Sequence, residues 1–259
     1  MPFFDLPHAR IHYALSGETS LPTLVLSNSL GTNFSIWDAQ VPELEKHFRL
    51  LRYDMRGHGQ SSVPPPPYSV PELAADVSSL ADFLAIDSFH FCGLSIGGMI
   101  GMSLALQSPA RLKKLVLCST AAKIGTFETW NTRIEMVRTQ GMKEIARATP
   151  PRWFTPSFQS SSPQAIAAVV RSIESLNPDG YIGGCCAVRD FDAHTTVSSI
   201  HVPVLVVSGT HDPAAPPAAG HFLADHISGA RYAELNASHI SIMEDPQRFT
   251  SEVLNFLTE

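Results

Sequence analysis

Residues 89–101 read FHFCGLSIGGMIG and join a short apolar run to a glycine-rich corner. The residues before Gly93 are apolar, as in a buried strand, and those after Gly97 continue as GMIGMSLALQSP with helical spacing. Glycine is the residue that tolerates a turn in which two backbone segments come very close. The stretch therefore predicts a strand, a tight turn and a helix, with Ser95 exposed at the top of the turn.

Apolar runs of strand length recur along the chain, and helical patterns separate them. Such runs lie at residues 23–28, 48–54, 89–93, 113–119, 202–210 and 230–236. One of the intervening segments, residues 70–86, carries a clear amphipathic stripe. Continuous apolar strands that alternate with helices indicate an α/β fold with a mostly parallel, doubly wound sheet.

Strand patterns are missing between Ala121 and Thr196, where only amphipathic helical segments such as SPQAIAAVVRSIESL are found. We therefore expect a core domain formed by residues 1–120 and 197–259, interrupted by a helical lid over residues 121–196. A helical insertion that starts and ends at strand ends is placed to cover a binding site. The alternative is that these helices only thicken the core.

Composition and charge narrow the possible partners and compartment. The 259 residues fit one sizeable domain, and the net charge of −6 gives no electrostatic reason to expect nucleic acid or an anionic membrane as a partner. No secretory signal is recognisable at the N-terminus, and no window approaches the roughly 18 apolar residues of a membrane span. Four cysteines without a framework pattern favour reduced thiols and a cytoplasmic location.

The segment GLSIG, residues 93–97, matches the G-x-S-x-G pattern of a nucleophile elbow, and its place between a strand and a helix supports that interpretation. The alternative is a tight structural turn with an incidental serine. A serine nucleophile needs a base that a third group orients, in the chain order serine, acid, histidine. Asp212 and His239 follow the last two predicted strands at the same sheet edge, so we expect a Ser95–His239–Asp212 triad. His211 adjoins the acid but is expected to point elsewhere.

The tetrahedral intermediate of such a triad needs an oxyanion hole. We expect one N–H donor from Ile96, directly after the nucleophile, and a second from the loop LSNSLGTNFSIWD after an early strand. With this loop the chain resembles the α/β-hydrolase superfamily over essentially its whole length. Many members have His-Gly where this chain has Asn28-Ser29, and the resemblance implies Leu30 as the second donor. Because the donor is a backbone group, the missing histidine does not weaken the oxyanion hole.

Four segments together, SNSLGTNFSIWD, YDMRGHGQS, GLSIGG and NASHISIMEDP, resemble the 3-oxoadipate enol-lactone hydrolases of bacterial aromatic catabolism. The resemblance implies that the substrate is a small enol-lactone with an acetic acid arm. It implies hydrolysis through an acyl-enzyme, in the β-ketoadipate pathway, without a metal or an organic cofactor. No cluster with metal-ligand spacing is present in the sequence, and His58 in the second segment is expected to be a structural or an exposed residue and not a catalytic one.

The carboxylate of such a substrate needs a cationic partner, and the predicted lid is its natural source. Arg133 is our candidate because a guanidinium binds a carboxylate through two parallel hydrogen bonds. Trp130 and Trp153 are expected to wall the pocket, together with Ser29. The alternative is that Arg133 is solvated and that both tryptophans belong to the core.

Four other functions remain open. The triad alone does not separate an enol-lactonase from a general esterase, a perhydrolase or a carbon–carbon bond hydrolase of the same fold. A haloalkane dehalogenase is disfavoured because that chemistry uses a carboxylate where this chain has Ser95. A non-catalytic ligand receptor would be expected to keep the pocket while losing or ignoring a triad member, whereas all three are present here. The sequence does not decide between a monomer and a small homo-oligomer.

Overall fold

The computed structural model describes residues 2–259. The strands are β1 (Phe3–Asp5), β2 (Arg10–Ser16), β3 (Thr23–Ser27), β4 (Arg49–Tyr53), β5 (Phe89–Leu94), β6 (Leu112–Cys118), β7 (Val204–Gly209) and β8 (Arg231–Leu235). The helices are α1 (Val41–Leu44), α2 (Val70–Phe83), α3 (Ile96–Gln107), α4 (Phe127–Gln140), α5 (Met142–Ala148), α6 (Pro150–Trp153), α7 (Pro156–Ser161), α8 (Pro163–Glu174), α9 (Pro178–Asp190), α10 (Pro217–His226), α11 (Ser241–Glu244) and α12 (Pro246–Thr258).

The strands form one eight-stranded sheet in the order β1-β2-β4-β3-β5-β6-β7-β8. The six strands from β4 to β8 in that order are parallel, and β1 and β2 extend the sheet in antiparallel pairing. The predicted α/β fold with a mostly parallel, doubly wound sheet is therefore confirmed. Because the strand order reverses at β3, the loops after β3 and β5 diverge and leave a crevice at the carboxyl ends of the strands.

The region between β6 and β7 contains the six helices α4 to α9 and no strand among the residues described. A long amphipathic segment there is divided into two helices at Gly141, which lies between α4 and α5 and has a φ of 72°. That left-handed φ favours glycine over other residues. The division into a core and a lid over residues 121–196 stays a prediction.

The turn between β5 and α3 requires glycine at two positions. A Cβ atom added to Gly93 would lie 2.1 Å from the carbonyl oxygen of Gly97. A Cβ atom added to Gly97 would lie 2.4 Å from the carbonyl oxygen of Ser27 at the end of β3. Both distances are far below van der Waals contact, so only glycine lets the helix sit this close to the two strands.

Three whole-chain features complete the description. All four cysteines are free and buried. Within residues 2–259, no helix combines the length and the apolar character needed to cross a membrane. In the same residues, no group of three histidine, cysteine, aspartate or glutamate side chains is arranged to hold a metal ion.

Candidate active site

A partly enclosed cavity of about 340 Å³ lies at the carboxyl ends of β3, β5, β7 and β8, below the helices that follow β6. Its volume suits a small organic ligand. The residues that sequence analysis placed at a site and that line it are Ser29, Leu30, Ser95, Trp130, Arg133, Trp153 and His239. Two further predicted residues, Ile96 and Asp212, lie directly behind this lining, next to Ser95 and His239. The predicted site residues are therefore gathered around one cavity.

Ser95 is held in a strained backbone conformation at the start of α3. Its φ of 59° and ψ of −114° are unusual for a residue with a side chain. The surroundings fix this geometry, since the Ser95 N–H donates to the Cys118 carbonyl at 2.9 Å and the Thr120 hydroxyl donates to the Ser95 carbonyl at 2.8 Å. The backbone thus turns the serine hydroxyl away from the sheet and into the cavity, as expected for a nucleophile elbow.

His239 and Asp212 form a buried pair at the next two strand ends. The His239 Nδ1 atom lies 2.8 Å from Asp212 Oδ2, and the side chains are 3% and 0% exposed. A carboxylate only accepts, so Nδ1 carries the proton and leaves Nε2 free to accept another. The second oxygen, Asp212 Oδ1, accepts the N–H groups of Ala214 at 2.7 Å and Ala215 at 3.0 Å. The carboxylate is therefore fixed from both sides and holds His239 in the tautomer that a general base requires.

Trp153 covers His239 from the side of the helices between β6 and β7. The two ring centroids are 6.1 Å apart with an interplanar angle of 38°. A backbone hydrogen bond also joins the two segments, because the Ile240 N–H donates to the Trp153 carbonyl at 3.2 Å. The indole thus shields the imidazole from water and makes one wall of the cavity.

The loop after β3 is anchored by Asn28. Its amide donates to the Tyr53 carbonyl at 2.8 Å and accepts the indole N–H of Trp37 at 3.0 Å. Leu30, two residues on, lines the cavity, and its N–H makes no hydrogen bond within residues 2–259. The Ile96 N–H is the first of α3 and has no partner inside that helix. These two free N–H groups are the candidate oxyanion donors, and Asn28 gives the loop its fixed shape.

Arg133 reaches the cavity from α4. Its Nη1 atom donates to the Tyr181 hydroxyl at 3.2 Å, and its guanidinium lies 5.2 Å from the Trp130 ring centroid. Trp130 is itself only 9% exposed and donates its indole N–H to the Ile124 carbonyl. The tryptophan is thus both a core residue and a cavity wall, and it fixes the arginine in place.

A second arginine, Arg152 on the short helix α6, also lines the cavity and was missed by sequence analysis. Its side chain is partly exposed to water; burial of the remainder and then the positive charge of Arg133 lower its pKa, while Tyr181 and Asp212 oppose that shift. No carboxylate side chain lines the cavity among the described residues. The one signal in the sequence that could have identified Arg152 is that it directly precedes Trp153, which was expected to wall the pocket. The cavity is therefore electropositive, which suits an anionic ligand.

Comparison with known proteins agrees with this geometry. A family model described as the alpha/beta hydrolase fold matches residues 22–162. The chain is 40% identical to 3-oxoadipate enol-lactonase 2 of Acinetobacter baylyi over 243 residues, which are 94% of this chain and 91% of that protein. The chain belongs to the α/β-hydrolase family. A second Acinetobacter baylyi protein, 3-oxoadipate enol-lactonase 1, is 34% identical over 91% of this chain and 88% of its own.

The same relationship holds in three dimensions. The crystal structure of the enol-lactonase from Burkholderia xenovorans LB400 matches this α/β hydrolase with a TM-score of 0.98 and 45% identity, over 100% of both chains. The sequence-based assignment to this superfamily, with its resemblance to enol-lactone hydrolases, is confirmed. The α/β hydrolase is an enzyme of the esterase type, which also removes the non-catalytic receptor from consideration.

Two histidines near the motifs stand outside the cavity of this α/β hydrolase. His211 points away from the site and its Nε2 atom lies 2.9 Å from the Asn236 side-chain oxygen. His58 is 1% exposed, and its Nδ1 atom contacts the Arg56 carbonyl at 3.3 Å. Burial lowers the pKa of His58 to about 4, so it stays neutral at physiological pH. Neither residue lines the cavity, in agreement with the roles that the sequence predicted.

Proposed function

We propose that this α/β hydrolase hydrolyses 3-oxoadipate enol-lactone to 3-oxoadipate, as a step in bacterial aromatic catabolism. The observation that carries the proposal is that Ser95, Arg133 and His239, with Asp212 bonded behind it, meet at one cavity whose lining includes no carboxylate among the described residues. Such a cavity suits a small ester that carries its own negative charge. The enol-lactonase names of the relatives in Acinetobacter baylyi support this choice among esters.

The first half of the reaction would acylate Ser95. The Ser95 hydroxyl gives its proton to His239 Nε2 as its oxygen forms a bond to the lactone carbonyl carbon. The carbonyl oxygen becomes negatively charged and accepts hydrogen bonds from the N–H groups of Leu30 and Ile96. The bond between that carbon and the ring oxygen then breaks. The enol oxygen takes the proton from His239, and the enol tautomerises to the ketone.

The second half would release the product with water as the only co-reactant. Water gives a proton to His239 and adds to the acyl carbon, and the bond to the Ser95 oxygen then breaks as that oxygen recovers the proton. The new carboxylic acid ionises at neutral pH. The balance is therefore one lactone monoanion and one water consumed, with one dicarboxylate dianion and one proton formed.

Arg133 would hold the carboxylate of the acetic acid arm. Tyr181 and Trp130 fix its guanidinium from behind, so the remaining N–H groups are pre-oriented for two parallel hydrogen bonds. Replacing Arg133 by Ala should raise KM for the anionic lactone about tenfold or more, because a hydrogen bond to a charged group contributes about 1.5–3 kcal/mol. A neutral aryl ester should lose far less. Equal losses on the two substrates would contradict the assignment.

The substrate itself is tested by comparing kcat/KM for the enol-lactone with that for a neutral aryl ester of similar size. The loss of the lactone is followed by its ultraviolet absorbance and corrected for spontaneous hydrolysis. We expect the lactone to be strongly preferred, since only the lactone uses the arginine. Fast hydrolysis of the aryl ester with slow hydrolysis of the lactone would be consistent with the triad but would overturn the proposed substrate.

A further inference from the structure

The two arginines of the cavity differ in how they are held. Arg133 is fixed by Tyr181 and Trp130, but the guanidinium of Arg152 makes no hydrogen bond or ion pair within the described part of the chain. Most other arginines of this protein do have such partners, for example Arg56 with Asp76. A cation that faces a cavity without a protein partner is free to bind an anion from solution.

The position of Arg152 relates it to the catalytic end of the cavity. It directly precedes Trp153, whose ring covers His239 and whose carbonyl accepts the Ile240 N–H. Both Arg133 and Asp212 are among the charges that shift its pKa, so its guanidinium lies within electrostatic range of the other arginine and of the catalytic acid. The cavity thus has one cation on α4 and a second on α6, and both line it together with Ser95 and His239.

The charge balance of the proposed reaction gives the second cation a role. The lactone carries one negative charge, but the product carries two, because hydrolysis creates a carboxylate at the carbon that Ser95 attacked. We propose that the cavity is a dicarboxylate site, in which Arg133 binds the arm carboxylate and Arg152 binds the carboxylate formed at Ser95. The inference rests on the proposed function, since that reaction is what places the second carboxylate beside Arg152.

A dicarboxylate site has a consequence that a single-arginine site lacks. Short dicarboxylates that resemble the product should bind more tightly than monocarboxylates of the same length, and the product should compete with the substrate. The contribution of Arg152 is limited by its exposure to water, since exposed ion pairs contribute up to about 1 kcal/mol and weaken in salt. The corresponding loss of affinity on removing Arg152 is about fivefold.

The test is calorimetric titration of the whole protein with adipate and with hexanoate, two stable six-carbon probes that differ by one carboxylate. We expect wild type to prefer adipate, and R152M to lose about fivefold in adipate affinity while hexanoate affinity stays within twofold. R152K keeps the charge without the bidentate geometry and should fall between the two. R171M is the matched control, because Arg171 is an exposed arginine of α8 outside the cavity.

Each outcome bears on the inference directly. Equal affinity of wild type for adipate and hexanoate, or no binding of adipate, would overturn it. An R152M protein that binds adipate like wild type and R171M would overturn it as well. These results are separate from a failure of the proposed function, which would show as slow turnover of the enol-lactone in a protein that still binds adipate through Arg152.

Discussion

Replacing Asp212 by Asn would exchange one hydrogen-bond acceptor for a donor at the most buried point of the site. Asp212 Oδ1 already accepts the N–H groups of Ala214 and Ala215 at 2.7 and 3.0 Å. The carbonyl oxygen of an asparagine would have to take that place, so its NH₂ group would face His239 Nδ1. His239 would then carry its proton on Nε2, because Nδ1 must accept. In that tautomer it has no free nitrogen for the proton of Ser95.

The expected loss of kcat is large because Asp212→Asn leaves His239 in place but unable to accept a proton. Reversal of the tautomer in a serine–histidine–aspartate geometry lowers kcat by about 10⁴, which corresponds to about 5 kcal/mol of transition-state stabilisation. The free energy of unfolding should change much less, since the asparagine keeps both backbone hydrogen bonds. The assay is steady-state hydrolysis of the enol-lactone or of an aryl ester, with denaturant unfolding measured on the same protein.

The chain offers a matched control for this substitution. Asp192 Oδ1 contacts His194 Nδ1 at 2.8 Å, the distance found in the buried pair, but both side chains are exposed and outside the cavity. Asp192→Asn should therefore leave kcat unchanged. A loss of less than about tenfold in Asp212→Asn would refute the role of the carboxylate in setting the tautomer. Equal losses in the two variants would refute it too.

Two further substitutions or conditions test the elbow and the buried histidines. Gly93→Ala should lower kcat about 100-fold and the free energy of unfolding by about 1–3 kcal/mol. The reason is that the new Cβ atom would lie 2.1 Å from the Gly97 carbonyl oxygen, so the turn must shift and displace Ser95. Wild-type kinetics in this variant would contradict the packing argument. Burial lowers the pKa of both His58 and His90 from 6.5 to about 4, so the unfolded chain binds protons that the folded chain does not. The free energy of unfolding from urea titrations should therefore fall as the pH is lowered through this window, by up to about 1.4 kcal/mol per pH unit for each histidine. A flat profile would contradict this expectation.

The parallel strands and the triad could be predicted from sequence because their signals are local. Strands β3, β5 and β7 are buried at every residue, and β4 and β6 at all but one or two, so their sequences carry apolar runs between turn residues. The elbow is readable because the approach of the Gly97 backbone to β3 excludes any side chain there. The order serine, acid, histidine then follows from which strand ends share one edge of the sheet.

The antiparallel strands and the second arginine were missed for a different reason. Strand β1 has three residues and is partly exposed, so it has no apolar run. Arg152 lies on a four-residue helix, where no periodicity shows which side chains face inwards. Its place in the cavity depends on how α6 packs beside His239, which is a tertiary contact. The anchoring role of Asn28 likewise needs Tyr53 and Trp37 to be brought together by the fold.

The central claim is that Ser95 opens the enol-lactone through a covalent acyl-enzyme. The most direct measurement mixes the lactone with the enzyme, quenches within one turnover in acid and maps the adduct by peptide mass spectrometry, with Ser95→Ala in parallel. We expect an adduct of one lactone mass on Ser95 that decays as 3-oxoadipate appears, and neither adduct nor turnover in Ser95→Ala. Turnover that persists in Ser95→Ala would contradict the claim, as would an adduct on another residue.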